Sequence, residues 1–253
     1  MEPFLKLMKT YCIDYTNSHD TSWLPAIMTD DYVVNICGHR LQRSASYQES
    51  VEALFADAPG LNITIHEIYF NGDRLAMRFS EHATFVSRNN ARATWRGFST
   101  YTWDGTRLTE CWVEQDFFSR YQQFKSGVPY APRSPAIDAW MTSPTPEDPN
   151  ALSAALNWLQ TFDLSRATSH SIDDSDDNPA WTMPIVPRKV EITDAFSAGG
   201  KVPFHATVTG TLTPGDGKEV RMPVCGVITV ASTGAIEQVE AVFDRFTNLV
   251  ANR

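Results

Sequence analysis

The chain has 253 residues, 42% hydrophobic and 20% charged, with a formal net charge of −9. That length suits one large or two ordinary domains, and the acidic balance argues against nucleic acid or anionic membrane as a partner, since both are bound through basic patches. No apolar run is long enough to span a bilayer. The start shows no secretory cleavage pattern. Cys12, Cys37, Cys111 and Cys225 are scattered without metal-ligand spacing. The expectation is a cytoplasmic protein with reduced thiols and no metal.

Residues 3–16 place Phe4, Leu5, Leu7, Met8, Tyr11, Cys12 and Tyr15 at helical spacing. After a break at 17–20, a short second helix is expected from Ser22 to about Met28, then a strand over 32–36 and a turn at Gly38-His39. A third helix is predicted over 46–55, with Ser46 as N-cap and Glu49 three residues on, in the capping-box pattern. Strands then take over, at 62–70 and, after a turn at Asn71-Gly72, at 74–86. On this long strand Leu75, Met77, Phe79, Glu81, Ala83 and Phe85 share one face. Arg74, Ala76, Arg78, Ser80, His82 and Thr84 share the other. Strands at 92–103 and from Leu108 onward are joined at Trp103-Asp104-Gly105-Thr106, a turn whose positive φ glycine supplies. On the last strand Trp112, Glu114 and Asp116 share one face, and Cys111, Val113, Gln115 and Phe117 the other. Helices followed by an antiparallel meander predict an α+β fold.

Residues 127–150 are proline-rich and read as an extended linker or wrap between a domain over 1–126 and a second over 151–253. The second half repeats the first in reduced form, with a helix over 151–162 and strands over 189–196, 202–211, 219–231 and 235–246. The eight-residue spacing of Gly97 and Gly105 recurs at Gly226 and Gly234, which points to a tandem duplication. Residues 165–184 read as loop, so the second copy is expected to have lost most of its helical lid. The acidic run 173–177 lacks the glycine and terminal glutamate of a calcium loop and reads as solvated.

The order helix, helix, strand, helix, four-stranded meander resembles the SnoaL-like polyketide cyclases of the nuclear transport factor 2-like superfamily. The likeness is carried by residues 72–79 (GDRLAMRF), 95–101 (WRGFSTY) and 108–123, and it covers residues 1 to about 126. It implies a cone-shaped first domain enclosing an apolar pocket and, taken with the internal repeat, two fused cone-like domains. It also implies an aspartate at Asp116 serving as acid/base without metal or organic cofactor. The Gly-Thr-His frequent at the end of the family's long strand is Ala83-Thr84-Phe85 here, leaving His82 as the available histidine. Members include dehydratases, isomerases, epoxide hydrolases and binding-only proteins, so the fold does not fix the reaction.

On this reading Asp116, desolvated among Trp112, Phe117 and Phe118, exchanges protons with a substrate, and Glu114 is its partner or a surface residue. His82 is the second proton handler. Glu81 and His82 cannot face the same way, and the sequence leaves open which one meets the pocket. Tyr32 and Tyr101 are candidate hydroxyl donors. His39 stands at the expected mouth, and Trp23, Trp95, Phe98 and Trp112 form the walls. Ordinary core packing or a solvated strand face is the plainer reading of each. The expected activity is cofactor-free cyclisation, isomerisation or elimination on a hydrophobic, ring-bearing molecule. The alternatives are a binding protein with the same pocket, or an epoxide hydrolase drawing on Arg78, Arg92 or Arg96. The second sheet is expected to pack on the first as a pseudo-dimer within the chain, with a further homodimer open.

Overall fold

The apolar stripe at the start of the chain forms α1 (Pro3–Lys9), which runs on as a wider π-helical segment, Thr10–Asn17. Together they bury Phe4, Leu5, Met8, Cys12 and Tyr15. In this computed structural model residues 1–172, 185–212 and 217–242 are described. The first unit continues through α2 (Leu24–Ile27), β1 (Met28–Ile36), β2 (His39–Gln42), α3 (Gln48–Asp57), β3 (Asn62–Phe70), β4 (Leu75–Phe85), β5 (Ala91–Trp103), β6 (Leu108–Gln115) and α4 (Phe117–Ser126). The capping box expected at Ser46 is not formed. The chain enters α3 through a π-turn, Arg43–Tyr47, so the residue before α3 is already helical and no side chain caps it. The Ser46 carbonyl instead accepts from the Ser50 hydroxyl.

The first sheet has the order β2-β1-β6-β5-β4-β3, antiparallel throughout except that β1 lies parallel to β6. At the β5–β6 turn Gly105 has φ +96, and the Asp104 carboxylate accepts from the backbone N–H groups of Thr106 and Arg107. Gly97 answers a different need. It pairs with Phe79 across β4–β5, and a Cβ there would lie 2.2 Å from the Phe79 ring, which rests across the glycine.

The second unit comprises α5 (Pro149–Leu159), β7 (Ser169–Ile172), β8 (Ile185–Ala195), β9 (Lys201–Leu212), β10 (Glu219–Val230) and β11 (Ile236–Val242). Its sheet order, β7-β11-β10-β9-β8, repeats β1-β6-β5-β4-β3, with β7 parallel to β11 as β1 is to β6. The loop expected over 165–184 therefore contains a strand. Ser169–Ile172 is too short and too polar to alternate visibly, and it is held by its register with Gln238–Ala241. The acidic run 173–177 and the last expected strand beyond Val242 lie outside the described residues. The Asp148 carboxylate caps α5 by accepting from the N–H groups of Asn150 and Ala151. This one helix covers the second sheet, burying Ala151, Ala155, Trp158 and Leu159 against it.

The outer face of the first sheet packs on the second. Tyr69, Ala76 and Phe98 meet Phe196, Cys225, Val227 and Val242, flanked by ion pairs Arg74–Asp194 at 2.5 Å and Arg78–Glu240 at 2.9 Å. The linker wraps along β3: Ala136 N–H donates to the Ile65 carbonyl and Thr145 N–H to the Phe70 carbonyl, both at 2.8 Å. An edge strand that would otherwise offer unpaired backbone groups is thereby covered.

Candidate functional site

Strand alternation builds the inner face of the first sheet. β4 turns Phe79 and Glu81 inward, β5 turns Tyr101, and β6 turns Cys111, Val113 and Gln115. With Tyr11 and Tyr15 from the π-helical segment and Tyr47 at the start of α3, they enclose a cavity of about 190 Å³. Exposed Ser50 and half-buried Leu41 and Leu54 mark its mouth. Among the described residues lining it, no lysine, arginine or histidine occurs, and Glu81 is the one carboxylate.

Glu81 is buried, and burial raises its pKa to about 7; the charge of Arg120 and a hydrogen bond from Gln115 oppose the rise. The hydrogen-bond directions around it are determined. Trp95 Nε1–H can only donate, and it points at Gln115 Oε1 at 2.7 Å. The Gln115 amide nitrogen therefore faces Glu81 Oε1, at 3.3 Å. Arg120, from α4, lies over the Trp95 and Phe117 rings, 4.9 Å and 4.2 Å from their centroids. The indole thus fixes the amide, the amide donates to one oxygen of the carboxyl, and the charge of the guanidinium favours its ionised form.

Across the cavity Tyr15 and Tyr47 share a hydrogen bond of 3.0 Å between their hydroxyls. Burial raises the pKa of Tyr11, Tyr15, Tyr32 and Tyr101 well above the ordinary phenol range. Tyr47 is held to about 12, because hydrogen bonds from Tyr15 and Tyr11 offset part of its burial. These phenols stay protonated and can donate hydrogen bonds to a substrate oxygen.

The structure distributes the residues expected from the sequence over several places. Tyr101 lines the cavity. Tyr32 stands behind it in the core, edge-on to Tyr47 at 6.0 Å, with its buried hydroxyl beside the Cys111 thiol. Trp95 also backs the cavity, acting through Gln115. Asp116 does not line it: β6 ends at Gln115, and the fully buried Asp116 caps α4 by accepting from the N–H and hydroxyl of Ser119. His82 points to the opposite face of β4 from Glu81, where its Nε2 meets the Thr64 hydroxyl at 2.7 Å. The choice between these two neighbours thus falls to Glu81.

The face shared by Trp112 and Glu114 is not part of the cone. The second sheet covers it, and both residues meet His205 there. Phe98, on the same side, packs against Tyr69 between the sheets. His39 is exposed at the rim of the cleft that holds Trp112 and Glu114. Trp23 is 38% exposed on the surface. Among the described residues no arginine lines the cavity: Arg78 pairs with Glu67 and Glu240, Arg92 is exposed, and Arg96 faces outward on β5. Glu81, Gln115, Tyr11, Tyr15 and Tyr47 are the site residues that sequence reasoning did not select. Their one visible signal is a single carboxylate on an otherwise apolar strand face.

Residues 10–111 match the model of the family described as the SnoaL-like domain, a stretch running from the π-helical segment into β6. Among similar solved structures is a SnoaL-like polyketide cyclase from Agrobacterium tumefaciens, 21% identical, covering 49% of this chain and 98% of its own, with a TM-score of 0.42. A candidate polyketide cyclase from Acidithiobacillus ferrooxidans is 21% identical over 49% of this chain and 94% of its own, with a TM-score of 0.43. The candidate hydroxylase AclR from Streptomyces galilaeus is 17% identical over 49% of this chain and 92% of its own, with a TM-score of 0.41. No protein of curated function matches the chain significantly in sequence. No helix among the described residues is long and apolar enough to cross a membrane.

Proposed function

From the premise that residues 10–111 form a SnoaL-like domain, we propose that the chain is a cofactor-independent enzyme moving a proton on a neutral, ring-bearing small molecule. Glu81 is the acid/base on this reading. The observation that carries it is the single buried carboxyl, with a pKa of about 7, facing an apolar cavity whose other polar groups are mostly phenols. A group with that pKa is populated in both forms at neutral pH, which is what general acid/base catalysis needs. A cavity without a cationic side chain favours an uncharged substrate, and burying an anion beside Glu81 would be costly.

The chemistry follows from the groups present. Ionised Glu81 takes a proton from the carbon next to a substrate carbonyl. The carbonyl oxygen, gaining charge, accepts hydrogen bonds from Tyr47 and Tyr101. The proton then returns to another position, giving isomerisation, or the enolate carbon attacks a second carbonyl carbon of the same substrate, whose π electrons pass to its oxygen and take the proton back from Glu81, giving cyclisation. Gln115 and Trp95 are positioning residues that keep the Glu81 oxygen in place. The apolar walls exclude water from the enolate. Asp116, as a helix cap, supports α4 and thereby Arg120. An epoxide-opening set of two aspartates and an arginine has no counterpart in the cavity lining. We read the second sheet as standing where a partner subunit's sheet would pack, making the chain a pseudo-dimer.

The test is deuterium exchange. Wild type and Glu81→Gln are incubated in heavy water with a panel of neutral cyclic ketones, and label beside the carbonyl is read by NMR. Wild type is expected to incorporate deuterium, with the variant slower by about 100-fold or more. Ligands that bind both proteins alike, with no exchange by either, would favour a binding protein of the same fold.

A further inference from the structure

Two stretches of π-type helix occur among the described residues, Thr10–Asn17 and Arg43–Tyr47. Their bonds span five residues rather than four, a rare geometry that recurs at functional sites. The first stretch places Tyr11 and Tyr15 on the wall of the cone, and the second ends on Tyr47. The Thr16 hydroxyl donates to the Tyr11 carbonyl, five residues back, at 2.9 Å. The Tyr11 and Tyr15 rings stand 5.5 Å apart, and Tyr15 lies edge-on to Phe55 at 6.1 Å. Packed in this way, the two phenols converge on one atom. The Tyr15 and Tyr47 hydroxyls are 3.0 Å apart, and Tyr11 hydrogen-bonds to Tyr47 as well.

Counting protons assigns the roles. Three hydroxyls bring three protons, and the two contacts use two of them. One proton is left for whatever occupies the cavity. An oxygen that gains negative charge draws it from Tyr47, because a hydroxyl that accepts two hydrogen bonds is polarised into a stronger donor. Tyr11 and Tyr15 then have their single protons committed to Tyr47. The charge of Glu81 reaches both Tyr15 and Tyr47, so the carboxyl and the phenol cluster act on the same bound molecule. We infer that Tyr11 and Tyr15 are positioning residues of the cone, which fix the Tyr47 hydroxyl and strengthen its bond to the substrate oxygen without touching that oxygen themselves. The inference deepens the reading of the cone as a site of proton transfer at Glu81 and rests on it.

Infrared spectroscopy of 1-indanone, labelled with ¹³C at the carbonyl and bound to the full chain, tests it. In wild type the C=O stretch is expected well below that of the ketone in an apolar solvent, as a strong hydrogen bond requires. Tyr15→Phe deletes one oxygen and keeps the ring. The stretch is expected to move part of the way back, and hydrogen exchange beside the carbonyl to slow about tenfold at saturating ketone, with the half-saturating concentration unchanged. Tyr47→Phe is expected to move the stretch further and to slow exchange about 100-fold. Tyr11→Phe repeats the Tyr15→Phe result and stands in for it if that buried variant does not fold. A wild-type stretch in the Tyr15→Phe and Tyr11→Phe proteins overturns the inference, whatever happens to their melting midpoints, since that is the outcome of a merely structural role. Failure of 1-indanone to bind wild type, or to show a lowered stretch there, also overturns it. Glu81→Gln tells the two readings apart: unslowed exchange in that variant removes the acid/base assignment, while the stretches still decide the role of Tyr11 and Tyr15.

Discussion

Glu81 shares its strand face with Leu75, Met77 and Phe79, and that company raises its pKa. The folded-state pKa, about 7, lies above the ordinary 4.5. The native state therefore holds this proton more tightly than the unfolded chain does. The resulting stability is fully present below pH 4.5 and is lost as pH rises toward 7. Glu81→Gln removes this dependence and is expected to stabilise the protein above pH 7 by on the order of 2–3 kcal/mol, read as a higher midpoint in urea. An active-site carboxylate that costs stability is the usual pattern of a functional group. Gln115→Leu deletes the bond that favours the ionised form, so the pH midpoint of proton exchange is expected to move above that of wild type. An unmoved midpoint would show that Gln115 has no part in positioning Glu81. Period-two alternation made the faces of β4 and β6 legible in the sequence. Which face looks into the cone was not legible, because the covering of the outer face by the second sheet is a long-range event. Asp116 misled for a related reason: strand periodicity was carried one residue too far, past the point where the chain turns into α4.

The element that shapes the cavity wall is the β4–β5 pair, where the Phe79 ring crosses Gly97. Gly97→Ala forces the ring aside, since no Cβ fits 2.2 Å from it. The expected cost is about 1–3 kcal/mol by urea melting, together with altered ligand binding because Phe79 lines the cavity. Unchanged stability would mean the ring has another place to go. The hairpin turns were legible from their Asp-Gly and Asn-Gly pairs, and the long strands from alternation. β7 was not, since its four residues, Ser169–Ile172, take their structure from pairing with β11. Ser46 carried a capping signal that went unused because the π-turn before α3 had already made the entry helical.

In the whole molecule, the second unit repeats the strand order of the first and packs on its outer face. The Arg74–Asp194 pair and the Thr100–Asp194 hydrogen bond cross that contact. Asp194→Ala leaves Arg74, 23% exposed, without its carboxylate, and is expected to cost about 3 kcal/mol. A fragment of residues 1–126 would expose Tyr69, Ala76 and Phe98. It is expected to self-associate in sedimentation, whereas a monomeric fragment would show that this face needs no cover. The central claim is nevertheless about one carboxyl. It is tested most directly by a ¹³C NMR titration of the glutamate side chains, with Glu81 assigned by the signal missing in Glu81→Gln. The account predicts a midpoint near 7 for that signal. A midpoint near 4.5, the value of an ordinary solvated glutamate, would contradict it.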